Sequence, residues 1–175
     1  MNHRGQIVIE NDSDVDTLAD FTVYEKMIGD KSLVDRFSET FETDNPVEKE
    51  LLAGMLQAQS SLFEVQEINA ENSTLRLFDL LADTEPFEIV DLGLSQSLKA
   101  PNRPLVFTRI IRLEPFNMTT GLGFIFSPNH KDYLLSRSRK MIKKLQIEDP
   151  AIKRLRVFFH LNRKEGLPSS FDHVR

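Results

Sequence analysis

Apolar residues recur every three or four positions near the start of the chain, every second position through its middle, and every three or four again toward its end. These two periods belong to a helix packed on one face and to a strand with alternating faces. In the first region Leu18, Phe21, Tyr24 and Ile28 mark one helix, entered from the acidic stretch 11–20 with Asp16 or Thr17 as its cap and Gly29 as its stop. Leu33, Val34, Phe37 and Phe41 mark a second. A third is announced by Asn45, Pro46 and Glu48 as N-cap, first-turn proline and reciprocal capping acid, with Leu51, Leu52, Met55 and Leu56 as its buried stripe.

From Leu62 the period changes. Phe63 and Val65, then Leu75 and Leu77, alternate on either side of the polar turn 70–73, which predicts a hairpin. Residues 87–90 make a further strand and 94–98 a short extended or turn-like piece. Leu105, Phe107, Ile111 and Leu113 share one side of a β-prone run that Arg109 interrupts, and Met118, Leu122, Phe124 and Phe126 continue the alternation. Short antiparallel strands at this spacing predict a curled sheet or small barrel, and strands that do not alternate with helices argue against a parallel Rossmann-type sheet. Ser127-Pro128 and Asp149-Pro150 then open two helices, the first carrying Tyr133, Leu134, Met141, Ile142 and Leu145, the second Ile152, Leu155, Phe158 and Phe159. The expected fold is α+β in a single domain: 1–60 mainly helical, 61–127 antiparallel β, 128–166 helical and 167–175 a tail.

Composition narrows the chemistry. Thirteen Phe against two Tyr and no Trp supply rings for packing with few polar handles, and the absence of Cys removes disulfides, thiolate metal sites and cysteine nucleophiles. No run approaches the ~18 apolar residues of a membrane span, and the first residues lack the apolar core of a signal peptide. A cytoplasmic location, no membrane and no cofactor are expected.

Known catalytic patterns match only in part. Asp12, Asp14 and Asp16 open like a calcium loop, but Thr17 and Val23 stand where Gly and Glu are needed, so an acidic approach to a helix is the better reading. The run 119–124, Thr-Thr-Gly-Leu-Gly-Phe, lacks the third Gly or following Lys of a phosphate loop and reads as a bend in a curling sheet. His3, His130, His160 and His173 have no ligand spacing. No Ser sits in a Gly-x-Ser-x-Gly elbow. Glu64 with Glu67, and Asp79 with Asp83, fit polar strand and turn positions better than acid–base pairs.

Charge is the remaining signal. Residues 1–70 hold 15 acids against 5 bases, 71–175 hold 12 against 17, and 136–164 alone hold 10 bases against 2 acids. Arg137, Arg139, Lys140, Lys143 and Lys144 cover much of one helix exterior, and Lys153, Arg154, Arg156, Arg163 and Lys164 extend the positive region. Three readings compete: a solvated face, a surface that meets the chain's own acidic helices within the monomer or in a homo-oligomer, and a site for an anionic protein or nucleic acid. Tyr133 is the ring beside these charges. The functional expectation is a non-enzymatic binding or regulatory module using the basic helices. The alternative is a small-ligand protein or enzyme with a pocket inside the curled sheet, at Arg109, Asp79, Phe107 and Phe124.

The segments Leu62-Phe63-Glu64-Val65, Leu77-Phe78-Asp79-Leu80-Leu81, Leu94-Ser95-Gln96-Ser97-Leu98 and Pro104-Leu105-Val106-Phe107-Thr108-Arg109 resemble the small β-barrel module of uncharacterised bacterial proteins, including some that carry the SEC-C zinc motif. The resemblance covers about a third of the chain and implies a β core. It brings no catalytic residues, and the cysteines of the zinc motif are absent here.

Overall fold

The computed structural model describes residues 2–3, 6–7, 12–26, 31–82, 84–98 and 103–167. The expected α+β layout is present, with a small barrel at its centre. A two-residue pair, β1 (Asn2–His3) with β2 (Gln6–Ile7), precedes α1 (Asp12–Tyr24), α2 (Leu33–Thr40) and α3 (Pro46–Leu56). Then come β3 (Gln59–Asn69), β4 (Thr74–Asp79), β5 (Phe87–Val90), α4 (Leu92–Ser97), β6 (Leu105–Arg112), β7 (Asn117–Thr119) and β8 (Phe124–Phe126). A 3₁₀ turn (Pro128–His130) leads into α5 (Lys131–Lys144), and α6 (Pro150–Glu165) ends the described helices.

The barrel closes because β3 pairs with both β4 and β6, while β5 and β7 complete the ring. Phe63 faces Asp79 on β4 and Val106 on β6, so one row of side chains from three strands points inward. Phe63, Val65, Leu75, Leu77, Ile89 and Val106 fill that interior, joined by Leu94 and Leu98 from α4. The opposite faces of β3 and β6, through Leu62, Leu105 and Phe107, pack on β8 and on Leu134, Leu155, Phe158 and Leu161 of the last two helices. Both faces of β6 are therefore covered, and its first seven residues are all buried.

Three features depart from the sequence expectation. The sheet is not wholly antiparallel, since Val90 of β5 pairs in parallel with Met118 of β7. Residues 94–98, expected to be a short extended or turn-like piece, lie largely in α4, because Asp91 caps a helical turn by accepting from the Leu94 N–H at 2.8 Å. The run 117–126 is two strands, both paired with β6, and residues 120–123 between them oppose only Thr108 and Arg109. Gly121 at φ +93° lets the chain bulge there, as the glycines suggested.

The helices show which faces the sequence could and could not reveal. α6 starts as expected, Asp149 Oδ1 accepting from the Ala151 and Ile152 N–H groups with Pro150 in the first turn. Ser127 caps the 3₁₀ turn and not α5 itself. On α3, Asn45 caps, but Glu48 returns to the Asn45 side chain and to Thr43 Oγ1, because Thr43 Oγ1 already accepts from the Asn45 N–H. The expected buried stripe of α3 is a further correction: Leu51 and Leu56 are 37% and 43% exposed, and the buried residue is Gly54. A Cβ at Gly54 would lie 2.9 Å from Arg112 O, Ile111 Cγ2 and Leu113 Cδ2, so the helix approaches β6 backbone to strand. α1 begins at Asp12, a turn before the expected cap. Gly29, its expected stop, lies outside the described residues.

Candidate functional site

The acidic helix α1 turns two of its acids, Asp14 and Asp20, inward. Asp14, Thr17 and Asp20, spaced by three, are buried, whereas Leu18 is 36% exposed and Phe21 and Tyr24 are half-buried. Asp20 is drawn in by Arg109, which the alternation of β6 points outward from the barrel beside Phe107. Asp20 accepts from Arg109 Nε at 3.1 Å and from Nη2 at 3.0 Å. Glu25, just beyond the helix, accepts from Nη2 at 2.5 Å, and Ala58 O accepts from Nη1 at 3.3 Å. The Tyr24 ring lies 4.6 Å from the guanidinium carbon. Thr120, from the bulge, donates to Asp20 at 2.7 Å. The charged side chains are 2–3% exposed. Burial opposes the Arg109 charge, but hydrogen bonds and Coulomb attraction from Asp20 and Glu25 outweigh it and raise its pKa above the ordinary value. Burial, and then the Asp20 charge, push the Tyr24 hydroxyl up against the opposing pull of Arg109.

A second clasp joins the same helix to α6: Arg163 Nη2 donates to Asp14 Oδ2 at 2.8 Å and its guanidinium carbon sits 4.9 Å from the Phe159 ring centre. Of the basic run 136–164, Arg163 thus meets an acid of the chain's own N-terminal helix, and Arg109, outside that run, meets another. Sequence reasoning missed Asp14, Asp20 and Glu25 as inward groups. The signal was present as the three-residue spacing of Asp14, Thr17 and Asp20, an inward stripe that happens to be polar.

The expected pocket residues do not come together. Phe107 stacks on Phe124 at 5.7 Å and on Phe158 at 4.4 Å between ring centres, so rings fill that space. Asp79 lies on the inner face of the barrel wall, opposite to Arg109, and accepts from Ser61 Oγ at 2.6 Å and from the Leu81 and Ala82 N–H groups. It fixes a turn. Asp83 lies outside the described residues. Glu64 pairs with Lys131 at 3.0 Å. Asp12–Asp16 is helical, and no group of three or more potential metal ligands occurs among the described residues. His130 ends the 3₁₀ turn, His160 is exposed, and the side chains of His3 and His173 lie outside the described set.

What remains is the basic face. α5 buries Leu134 and Ser138, with Leu135, Met141 and Ile142 partly buried beside them. At 3.6 residues per turn this leaves Arg137, Arg139, Lys140, Lys143 and Lys144 on the outward side, and all five are exposed. None has an ion-pair partner among the described residues. Tyr133, 43% exposed, falls in one row with Arg137, Lys140 and Lys144 at spacings of four, three and four. The His130 ring meets its edge at 6.2 Å. On α6 the exposed Arg156 and half-buried Lys153 continue the face in one row with His160 and Lys164. Arg154 does not: it shares the row of buried Phe158 and Leu161, so helical geometry removes it from the outward set.

No helix of the described residues is long and apolar enough to cross a membrane. The profile of the family of unknown function DUF7986 matches residues 1–172, and the chain belongs to that family. No curated protein and no solved structure matches it.

Proposed function

We propose that this member of DUF7986 is a non-enzymatic binding module that presents the outward face of α5, extended by Lys153 and Arg156, to an anionic partner, a nucleic-acid backbone or an acidic protein surface. The observation that carries this reading is the contrast in pairing. Arg109, Arg163 and Lys131 hold carboxylates of the same chain, whereas the other five bases of α5, Arg137, Arg139, Lys140, Lys143 and Lys144, are exposed without an ion pair among the described residues. Like charges gathered along one helix repel one another, and an anionic partner relieves that repulsion. Phosphate contacts from such a row are strong, salt-dependent and indifferent to sequence. Tyr133 adds a ring on which a base or a partner side chain can stack. The resemblance of the central strands to a small β-barrel module fits a scaffold role for the barrel.

The test uses the two-tyrosine, tryptophan-free composition. Tyr24 is half-buried under Arg109 and Tyr133 is exposed, so tyrosine emission that changes on binding and is insensitive in Tyr133→Phe reports on this face. Anisotropy titrations with a labelled single-stranded oligonucleotide and with polyglutamate measure affinity. Reversal of Arg139, Lys140, Lys143 and Lys144 to Glu is expected to abolish binding to at least one. Affinities unchanged by that reversal would show the face to be solvated surface.

A further inference from the structure

A groove between α2 and α3 is the second unpartnered surface, and its chemistry is opposite to that of α5. Sequence periodicity assigns Leu33, Phe37, Leu51 and Leu56 to buried stripes, yet they and Val47 are 37–68% exposed, five of the twelve large hydrophobic residues exposed among the described residues. Apolar side chains gathered on two adjacent helices mark a contact surface far more than the same number scattered singly. Phe37 and Phe41 stack with ring centres 4.6 Å apart along one side. Phe41, Leu52, Ala53 and Leu56 form the floor of a cleft of about 510 Å³, with Glu42 and Lys49 at its rim.

The rim identifies the occupant. Residues 33–56 carry six acids and two bases. Lys31 offsets Glu39, and Lys49 approaches Asp44 at 4.0 Å. Glu42 has no ion pair among the described residues, and the Glu48 carboxylate is held only by neutral donors, Thr43 Oγ1 and the Asn45 amide. Glu42, Asp44 and Glu48 outnumber Lys49 beside the groove, so a second copy docking groove to groove would set like charges together. The α5 face of a second copy brings the right charge but a single exposed ring, too little to fill an apolar floor.

We infer that the α2–α3 groove receives a basic amphipathic helix of a partner protein, its apolar row on Phe37, Phe41, Leu52 and Leu56 and its lysines or arginines against Glu42 and Glu48. Two helices lying side by side leave a groove into which a third packs by interlocking side chains. The eleven residues of α3 span about 16 Å, so three turns of partner helix cover it.

The experiment titrates the full chain against a labelled peptide of about 15 residues, with leucines at positions i, i+3, i+4 and i+7 and lysines elsewhere. A scrambled peptide of equal composition and a version with Glu in place of Lys are the controls, at about 0.15 M salt. Saturable binding of the amphipathic basic peptide is expected, at least about tenfold tighter than either control. Phe37→Ser with Leu56→Ser, and separately Glu42→Lys with Glu48→Lys, are expected to weaken it by a similar factor, while reversal of the α5 bases leaves it unchanged. All four positions are solvent-facing, and an unaltered melting temperature verifies that each variant is folded. Equal binding of the scramble, absence of binding, or a wild-type dimer that Phe37→Ser converts to monomer would overturn the inference, the last by assigning the groove to a second copy.

Discussion

α1 and α5 are both strongly charged helices, and they use their charge in opposite ways. α1 has four acids and no base, and α5 has six bases and one acid. The inward line of α1 is Asp14, Thr17 and Asp20, of which Asp20 meets an arginine from β6 and Asp14 one from α6; that of α5 includes Leu134, which joins the apolar cluster on the outer wall of the barrel, and Ser138. Two of the four charges of α1 therefore fix the helix, Asp20 to the barrel and Asp14 to α6, while five of the six bases of α5 stay exposed. A charge run in a sequence says how much field a segment carries. Only the angular position of each charge, set against the faces of its neighbours, says whether that field points into the fold or away from it.

The comparison breaks most visibly at Arg109. Arg109→Met leaves Asp20 and Glu25 buried without their counter-charge, and loss of one partner from such a group costs about 3–5 kcal/mol. The measurement is the urea midpoint followed by circular dichroism, together with hydrogen exchange. Amides of α1 are expected to lose protection first, because the helix is held at this point by the Arg109 cage and the Thr120 contact. Adding Asp20→Asn and Glu25→Gln to Arg109→Met should recover much of the loss. If it does not, the arginine contributes packing and not charge pairing.

Smaller effects follow along the same helix. Asp14→Asn removes the charge that holds Arg163 across the α1–α6 contact; the carboxylate is buried and the guanidinium only partly exposed, so the expected cost is about 2 kcal/mol, below that of Arg109→Met and only weakly dependent on salt. Tyr24 acts at alkaline pH alone. Its hydroxyl ionises less readily in the fold than in the unfolded chain, mainly because of burial and then because of Asp20. The stability this contributes is complete below the ordinary tyrosine value of about 10 and is lost as pH rises through the higher folded value. Stability measured between neutral pH and that range should fall in the wild type, and less in Tyr24→Phe. Equal slopes would mean that Arg109 cancels the other two influences.

Much of the scaffold was legible in the chain. Asn45-Pro46 and Asp149-Pro150 opened helices, the hairpin turned at residues 70–73, and the glycines near 121 bent the strand, because each depends on local backbone chemistry. Closure of the barrel was suggested only by strand spacing, since the β3–β6 pairing joins residues more than forty positions apart. The faces of α1 and α3 could not be read from hydrophobicity. On α1 a buried arginine from β6 makes carboxylates the favourable inward groups. On α3 close approach to β6 selects Gly54, leaving the leucines to an open groove. Arg109 was visible as an interruption and Tyr133 as a ring beside the basic run. Their partners, or lack of them, depended on elements distant in sequence.

The smallest change in stability is expected where the change in binding is largest. Reversing Arg139, Lys140, Lys143 and Lys144 to Glu alters the formal charge of α5 by eight units, yet none of the four is buried or ion-paired among the described residues. Exposed substitutions away from packed contacts usually stay within about 0.5 kcal/mol each. Two opposing influences act on this helix. The pairs 139/143 and 140/144 are like-charged in both proteins, but Arg137 gains an attractive i,i+3 partner at position 140, while glutamates at the C-terminal turn oppose the helix dipole that Lys143 and Lys144 now complement. Their near cancellation predicts a urea midpoint close to wild type alongside lost affinity for polyanions. A midpoint that falls as far as in Arg109→Met would place these bases with Arg109 among the charges that hold the fold, and the distinction between the two helices would be lost.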